Sequence, residues 1–165
     1  MAVRIHRDPE GSRATRRIAR RSKASLRGSM VAKLPGFDRP RILQFESALE
    51  YAFLCLMLVR NDIYHIWDQP PAIQFMGADG RPAKHVFDFL ITLVGGEKIA
   101  IAIKPMDRVL SRNFVSELER VTSSVPKQFA DRVLLITDKQ IDRRKAAEAA
   151  RELAALRPSL TEVAA

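Results

Sequence analysis

The stretch "KHVFDFLITLVGGEKIAIAIKP", residues 84 to 105, decides the fold. On each side of its glycine pair, alternate positions belong to opposite faces, as in two β-strands. A three-residue loop of Gly, Gly and Glu is a common hairpin length, and it would pair Val94 with Lys98 and Asp88 with Lys104. The sequence therefore predicts a hairpin that brings a carboxylate and an ammonium group together at its open end. A structural ion pair and a functional site both fit this prediction.

Helical and extended patterns surround this hairpin. Residues 41 to 60, "RILQFESALEYAFLCLMLVR", predict a helix that is apolar around most of its circumference. Residues 108 to 124 predict an amphipathic helix, and an alanine-rich stretch predicts a last helix that ends at Pro158. Short apolar runs predict further strands at residues 64 to 67, 72 to 75 and 132 to 137. This order of elements predicts an α/β domain with a mixed central sheet flanked by helices on both faces.

Two acids stand out in the first predicted helix. Glu46 and Glu50 are its only acidic residues, and a spacing of four places them on one helix face. Carboxylates are rarely buried in an apolar helix without a partner. We therefore expect these acids to have a partner inside the fold.

The positive charge of the chain is concentrated at its N-terminus. The formal net charge is +9, and residues 1 to 33 hold ten basic residues against two acids. Arginine clusters suit phosphate geometry, which makes nucleic acid the leading expected partner, with a solvated tail or a targeting tract as the alternative. The sequence thus predicts a basic arm, poorly ordered alone, at residues 1 to 33 and one α/β domain at residues 34 to 165. The residues expected to bind nucleic acid are Arg13, Arg16, Arg17, Arg20, Arg21, Lys23 and Arg27.

Composition excludes several classes of protein. A single cysteine, Cys55, rules out an internal disulfide and fits a reduced thiol packed among apolar neighbours. The longest apolar run, residues 52 to 59, is far shorter than the ~20 residues of a membrane span, so no membrane partner is expected. We therefore expect a cytoplasmic protein. The chain also contains no nucleotide-binding glycine loop and no zinc-ligand spacing.

Four segments resemble, in order and at compatible spacings, the N-terminal catalytic domain of TnsA-type transposon endonucleases. They are "FESALEYAFLCLM", "IWDQPPAIQF", "HVFDFLITL" and "IAIAIKP", preceded by the similar run "RRSKASLRGSMVAKLPG". The resemblance covers roughly residues 20 to 110. It implies a restriction-endonuclease-like core of the PD-(D/E)xK superfamily, whose site is a helical Glu, then Pro-Asp, then Glu or Gln, any residue, and Lys.

The resemblance implies a catalytic role for each matching residue. Glu50 matches the helical glutamate, Asp88 the aspartate and Lys104 the final lysine of the motif. Glu50 and Asp88 would ligate Mg²⁺ or Mn²⁺, which polarises the phosphoryl oxygen and lowers the pKa of water. Lys104 would orient or activate the attacking water and offset the charge on the phosphate. The implied partners are DNA and a transposase or other mobile-element proteins, with a homodimer left open.

Two positions depart from the family motif. Phe87 replaces its proline, which removes no reacting group, whereas Ala102 replaces an acid or amide. The sequence therefore leaves three hypotheses open. The first is a metal-dependent DNA endonuclease, in which two carboxylates suffice or Glu46 substitutes for the lost ligand. The second is an inactive nuclease-fold subunit that binds DNA or assembles with partners, and the third is an RNA-associated or phage-type structural protein.

Overall fold

Eight strands and four helices make up the part of the chain that the structure describes. This computed structural model describes residues 8–16 and 26–163, with the side chains of the last helix up to residue 156. The strands are β1 (Gly28–Ala32), β2 (Arg41–Phe45), β3 (Ile63–Asp68), β4 (Ile73–Met76), β5 (Pro82–His85), β6 (Phe89–Leu93), β7 (Lys98–Ile103) and β8 (Arg132–Ile136). The helices are α1 (Ala48–Leu58), α2 (Met106–Ser111), α3 (Phe114–Ser124) and α4 (Arg143–Val163).

The central sheet contains four of these strands, in the order β3-β6-β7-β8. β6 pairs antiparallel with β3 and with β7, whereas β8 pairs parallel with β7. A parallel pair needs a crossover connection, which α2 and α3 supply between β7 and β8. The expected mixed-orientation α/β sheet is confirmed. The pairs β1-β2 and β4-β5 form two separate antiparallel sheets.

Helices cover both faces of the central sheet. Because neighbouring residues of a strand point to opposite faces, β7 divides into two sets. Ile99, Ile101 and Ile103 belong to a buried cluster that includes side chains of α1 and α4. Ala100 and Ala102 belong to a second cluster, which includes side chains of α2 and α3. The two-sided arrangement of helices is therefore as the sequence predicts.

The hairpin between β6 and β7 has the expected loop length but a different register. The loop spans residues 94 to 96, one position earlier than expected, and Thr92 pairs with Lys98. The reason is Gly96, whose φ of 94° provides the left-handed residue that ends such a loop. The expected pairing of Lys98 with Val94 was wrong. Each partner moves by two residues, which preserves side-chain alternation, so the faces of both strands are as predicted.

The first predicted helix consists of two elements. The sequence predicts a helix over residues 41 to 60, but the first five of these residues form β2, which pairs with β1. The helix α1 begins only after Ser47, whose Oγ accepts the N–H of Glu50 at 3.1 Å as an N-terminal cap. Glu46 therefore precedes the helix. The expectation that Glu46 and Glu50 share a helix face was wrong.

Two further helix predictions also change. The helix predicted at residues 108 to 124 is divided into α2 and α3 at Asn113, whose φ of 49° is left-handed. Asparagine tolerates this conformation because its short polar side chain bonds locally, and its Oδ1 accepts the hydroxyl of Ser116 at 3.1 Å. The prediction that the last helix ends at Pro158 was wrong: α4 continues to Val163, and the fixed φ of proline is compatible with a helix although its missing N–H removes one helical hydrogen bond. Within residues 8–16 and 26–163, no helix is long and apolar enough to cross a membrane.

Part of the segment assigned to the basic arm packs on the domain. Residues 8 to 16 are here called the strap. Both the strap and strand β1 lie within that segment. At one end of the strap, Glu10 forms a parallel bridge with Arg41. At the other end, the N–H of Thr15 donates to the carbonyl of Gln69 at 3.0 Å. The strap is therefore attached to the domain at two points.

A buried arginine anchors the strap. Arg41 is only 2% exposed, and its Nη2 and Nε donate to Oε2 of Glu10 at 2.6 and 3.0 Å. Its Nη1 lies 3.1 Å from Nε2 of His65, and its guanidinium carbon lies 4.4 Å from the centre of the Phe37 ring. The hydrogen bond from Arg41 lowers the pKa of Glu10, and burial lowers the pKa of His65 to about 4. A buried guanidinium needs such partners, so the strap and β2 form one structural unit.

We expect Gly36→Ala to destabilise the fold. A Cβ at this position would lie 2.8 Å from the carbonyl oxygen of Tyr64 and 2.9 Å from its ring, while the N–H of Gly36 donates to the same carbonyl at 2.7 Å. Relieving the overlap should lower the free energy of unfolding by about 1–3 kcal/mol, measured by urea denaturation. Gly95→Ala is the matched control, since a Cβ there meets no atom within 4 Å. Equal losses at both positions would contradict a specific effect of the overlap with Tyr64, since alanine at an unstrained position stabilises a fold slightly.

Candidate functional site

A cleft with a volume of about 410 Å³ opens near the end of β7. Its walls come from the strap, the β4-β5 hairpin, the residues before β6, and the helices α2 and α3. The lining residues are Arg16, Lys84, His85, Val86, Asp88, Lys104, Arg108, Arg112, Phe114 and Glu117. Two of the three residues expected to be catalytic therefore line one cleft.

Asp88 is held by the backbone on both sides. Its N–H donates to the carbonyl of Ile101 at 2.9 Å, and its own carbonyl accepts the N–H of Gln69 at 2.9 Å. Its carboxylate oxygen Oδ2 accepts the N–H of Ile103 at 2.6 Å. Burial raises the pKa of Asp88 to about 7 and the charge of Glu50 adds to the rise, while the Ile103 hydrogen bond opposes it. The carboxylate is thus fixed in orientation, and a nearby cation would favour its charged form.

Lys104 lies at the same end of the sheet as Asp88. It follows β7, and its N–H donates to the carbonyl of Ile136 at 3.0 Å. Its Nζ lies 5.4 Å from the centre of the Phe114 ring, and its charge lowers the pKa of Asp88. Among the described residues, Lys104 has no ion pair within 4.0 Å. The direct Asp88–Lys104 ion pair that the sequence allows is therefore not formed. The shifted register of the β6-β7 hairpin also means that Asp88 does not lie directly opposite Lys104, contrary to the pairing that the sequence predicts.

The third expected residue, Glu50, reaches this region from α1. Glu50 is 9% exposed; its Oε2 accepts the N–H of Glu46 at 2.7 Å, and its Oε1 accepts the hydroxyl of Ser47 at 3.2 Å. Together with the Ser47 cap these bonds form a variant of the capping box, in which Glu50 accepts the N–H of Glu46 rather than that of Ser47. Burial raises the pKa of Glu50, and the charge of Glu46 adds to the rise. The N-terminus of α1 thus supplies the partners that this buried acid needs, while the charge of Glu50 acts on Asp88.

The strap brings Arg16 to these carboxylates. Arg16 Nη2 lies 3.0 Å from Oε1 of Glu46, and Nε2 of Gln69 donates to the same oxygen at 2.7 Å. Gln69 is 2% exposed and has a left-handed φ of 44°, a strained conformation for a residue other than glycine. The charge of Arg16 lowers the pKa of both Glu50 and Asp88. The strap therefore supplies a cation to the cleft at a defined position.

The other residues expected to bind nucleic acid are placed differently. Arg13 is exposed on the strap, and its carbonyl accepts Nε1–H of Trp67 at 2.9 Å. Arg27 is half-buried just before β1. The remaining four, Arg17, Arg20, Arg21 and Lys23, lie outside the described residues. Of the three described members of the set, Arg16 is the one that lines the cleft.

The two positions that depart from the family motif are core positions. Ala102 is 1% exposed and belongs to the cluster that contains Val109 and Phe114. Phe87 is fully buried in the same cluster. A carboxylate at residue 102 would be surrounded by apolar side chains, which is unfavourable without a partner. Both residues therefore serve packing on the side of the sheet that carries α2 and α3.

The acidic side chains fit a hard divalent cation held by two carboxylates. The charge of Glu50 raises the pKa of Asp88, and a cation between the two would relieve this repulsion. Mg²⁺ commonly binds through one or two carboxylates, with waters and substrate phosphates as its other ligands. Within the described ranges, no group of three or more His, Cys, Asp and Glu side chains could hold a metal ion. The described residues therefore do not form a closed metal site, and a cation held by Glu50 and Asp88 would need water or substrate as its other ligands.

Sequence reasoning missed three cations of the cleft. They are Lys84 in β5, Arg108 in α2, and Arg112 at the C-terminal end of α2. The signal for Arg108 and Arg112 was their spacing of four residues, which places both on one side of a helix. His85 also lines the cleft, and burial lowers its pKa to about 4, so its ring is neutral near pH 7.

The cleft combines the carboxyl group of Asp88, on which the charge of Glu50 acts from α1, a lysine at the end of a central strand, and more basic than acidic side chains. This chemistry is suited to phosphate groups. A comparison of the chain with models of known protein families and with the curated proteins finds no match.

Proposed function

We propose that the chain is a DNA-binding protein of the TnsA-like endonuclease type, with a restriction-endonuclease-like core, that hydrolyses DNA phosphodiesters with a divalent metal. The supporting observation is that Asp88 and Lys104 line one cleft and that Glu50 acts on Asp88 through its charge. These are the three positions to which the resemblance assigns catalysis. Phosphodiester hydrolysis needs stabilisation of developing charge and an activated water, and these groups are suited to provide both.

Each protein group has a role that its contacts allow. Oδ2 of Asp88 is oriented by the N–H of Ile103, and its Oδ1 has no hydrogen-bond partner among the described residues, which leaves it available for a cation. The capping box holds both oxygens of Glu50 in place. Lys104 can donate to a phosphate oxygen or orient a water. Bound Mg²⁺ or Mn²⁺ would polarise the phosphoryl oxygen and lower the pKa of a bound water.

A DNA-binding subunit without catalysis is the second candidate. The buried Ala102 favours it, because the site then offers two acidic ligands where the family motif has a further acid or amide. The raised pKa of Asp88, about 7, fits a carboxyl group that is partly protonated near neutral pH in the absence of a metal. In this case the basic side chains of the cleft would bind the DNA backbone, and no bond would be broken.

Nicking of supercoiled plasmid distinguishes these two candidates. The wild-type chain should nick plasmid with Mg²⁺ or Mn²⁺ and not in EDTA. Asp88→Asn keeps an acceptor for the Ile103 N–H but removes the negative charge, so we expect a rate loss on the order of a hundredfold or more. Asp107→Asn, which changes an exposed carboxylate of α2, is the matched control and should cleave at the wild-type rate. DNA binding by each protein is measured in EDTA.

The possible results separate the alternatives. Cleavage that survives Asp88→Asn would rule out this site as catalytic. A wild type that binds DNA but does not nick it with either metal would replace the first candidate with the second. Loss of cleavage in Asp107→Asn as well would assign the effect of both substitutions to altered folding.

A further inference from the structure

We propose that Lys84, Arg108 and Arg112 form a phosphate-binding surface, the basic wall, that holds the DNA backbone beside the reacting phosphate. This inference rests on the proposed function, because it takes DNA as the ligand, but it assigns binding to residues outside the catalytic set. The ligand chemistry is that of a phosphodiester backbone, without reference to base sequence.

The basic wall is assembled from two separate elements. Lys84 belongs to β5, in the β4-β5 hairpin, while Arg108 belongs to α2 and Arg112 is its C-terminal cap residue. All three residues are exposed, and all three line the cleft that contains Asp88 and Lys104. The β4-β5 hairpin and the two helices share one buried cluster, so these elements are held in a defined relation to each other.

No acid neutralises the basic wall within the described part of the chain. Lys84, Arg108 and Arg112 have no ion pair within 4.0 Å there, whereas Arg16 pairs with Glu46 at 3.0 Å. Apart from Asp88, the acidic residue in the lining is Glu117. The cleft therefore has an excess of positive charge, which solvent ions or an anionic ligand must balance.

The spacing of the cations points to an extended polyanion. Lys104, Arg108 and Arg112 follow each other at intervals of four residues. The two arginines lie one helical turn apart, about 6 Å along the axis, and like charges at this spacing repel each other. A single phosphate would relieve the repulsion at one of these cations, whereas a strand of linked phosphates can relieve it at Lys104, Arg108 and Arg112 together.

Arginine gives this surface a defined recognition chemistry. The planar guanidinium donates two parallel hydrogen bonds to phosphate oxygens, which a lysine ammonium cannot do. Contacts to phosphates fix the position of DNA on a protein but carry no base information. The basic wall is therefore expected to position the backbone and to strengthen binding equally for different DNA sequences.

The salt dependence of DNA binding tests this proposal. Binding of a duplex oligonucleotide is measured in EDTA at several salt concentrations, so that cleavage plays no part. The double variant Arg108→Gln/Arg112→Gln should bind on the order of tenfold more weakly, and the slope of log affinity against log salt should fall by about two. Arg144→Gln/Arg151→Gln, which removes two exposed arginines of α4, is the matched control and should keep the wild-type slope.

A second pair of variants tests the guanidinium geometry. Arg108→Lys/Arg112→Lys keeps both charges, so the salt slope should stay near the wild-type value while the affinity falls. Full wild-type affinity in this variant would overturn the proposed recognition by guanidinium groups. Poly-glutamate serves as a polyanion without phosphate, and if Arg108→Gln/Arg112→Gln weakened its binding as much as that of DNA, recognition of phosphate would be overturned.

The outcomes for the basic wall and for the proposed catalysis are separable. An unchanged salt slope in Arg108→Gln/Arg112→Gln, or an equal change in the α4 control, would overturn the basic wall even if Asp88→Asn abolished nicking. The predicted slope change in a protein that never nicks DNA would support the basic wall and remove the catalytic part of the proposed function.

Discussion

Arg41→Met is expected to lower the free energy of unfolding by about 1.5–3 kcal/mol, because it removes the charged donor that lies between Glu10 and His65. Arg41 is 2% exposed, and its guanidinium contacts Glu10, His65 and the Phe37 ring. Methionine fills part of the space but offers no donor to the Glu10 carboxylate or to the His65 ring. The attachment of the strap should weaken at the same time. Urea denaturation measures the loss.

Arg39→Met is the matched control for this prediction. Arg39 lies 3.9 Å from the same Glu10 carboxylate, but its side chain is 46% exposed, so its removal should change stability by less than about 0.5 kcal/mol. Similar losses in the two variants would contradict a specific role for the buried cluster. The hydrogen bond from Arg41 lowers the pKa of Glu10 below 4.5, so the stabilisation is present above that pH and is lost in stronger acid. The difference between wild type and Arg41→Met should therefore shrink as the pH falls.

Asp88→Asn is expected to stabilise the metal-free protein at pH 8 by up to about 4 kcal/mol. The pKa of Asp88 rises from 3.8 to about 7 in the folded chain, mainly through burial. Between these values the folded state binds more protons than the unfolded state, so stability falls as the pH rises from about 4 to about 7. Asparagine has no charge to bury and can still accept the N–H of Ile103. Denaturation at pH 5 and pH 8 should show a strong pH dependence in the wild type and a weaker one in the variant.

A divalent metal should offset this loss of stability at pH 8 in the wild type but not in Asp88→Asn. A cation that binds the folded state stabilises it by mass action, so Mg²⁺ at pH 8 should raise the denaturation midpoint of the wild type and leave Asp88→Asn unchanged. Asp107→Asn, in which an exposed carboxylate of α2 is neutralised, should respond to Mg²⁺ as the wild type does. Parallel pH profiles in the wild type and Asp88→Asn would show that the buried carboxylate does not limit stability. Both the denaturation midpoint and the pH profile are measured without any DNA cleavage.

Residue alternation was sufficient to predict the faces of the central strands. Ile99, Ile101 and Ile103 lie on one side of β7 and Ala100 and Ala102 on the other, and this division depends only on a period of two. It holds for any register that is shifted by an even number of residues. The mixed orientation of the sheet followed in the same way from the order of helical and extended patterns.

Pairing partners and helix starts depended on single residues. The register of the β6-β7 hairpin was set by which glycine takes the left-handed conformation, and Gly96 does so. The start of α1 was set by Ser47 and Glu50, a capping-box pair that the apolar run from residue 41 obscured. Both signals were present in the sequence, but an analysis based on the spacing of apolar residues does not detect them.

The candidate site could be predicted only where local structure brings its residues together. Asp88 and Lys104 flank the same hairpin, so chain connectivity alone keeps them at one end of the sheet. Arg16 joins them through tertiary packing, since the strap approaches the cleft from a distant part of the chain. No local pattern encodes that convergence.

The N-terminal segment carries much of the positive charge, but its strap and β1 also protect the domain from aggregation. Deleting residues 1 to 33 to remove that charge would also remove β1, which pairs with β2 along its full length. Unpaired strand edges are templates for association with other chains, and a buried Arg41 without Glu10 would add local unfolding. Aggregation of a truncated chain would then hide any effect on DNA binding. Charge is better removed by substitution at exposed arginines.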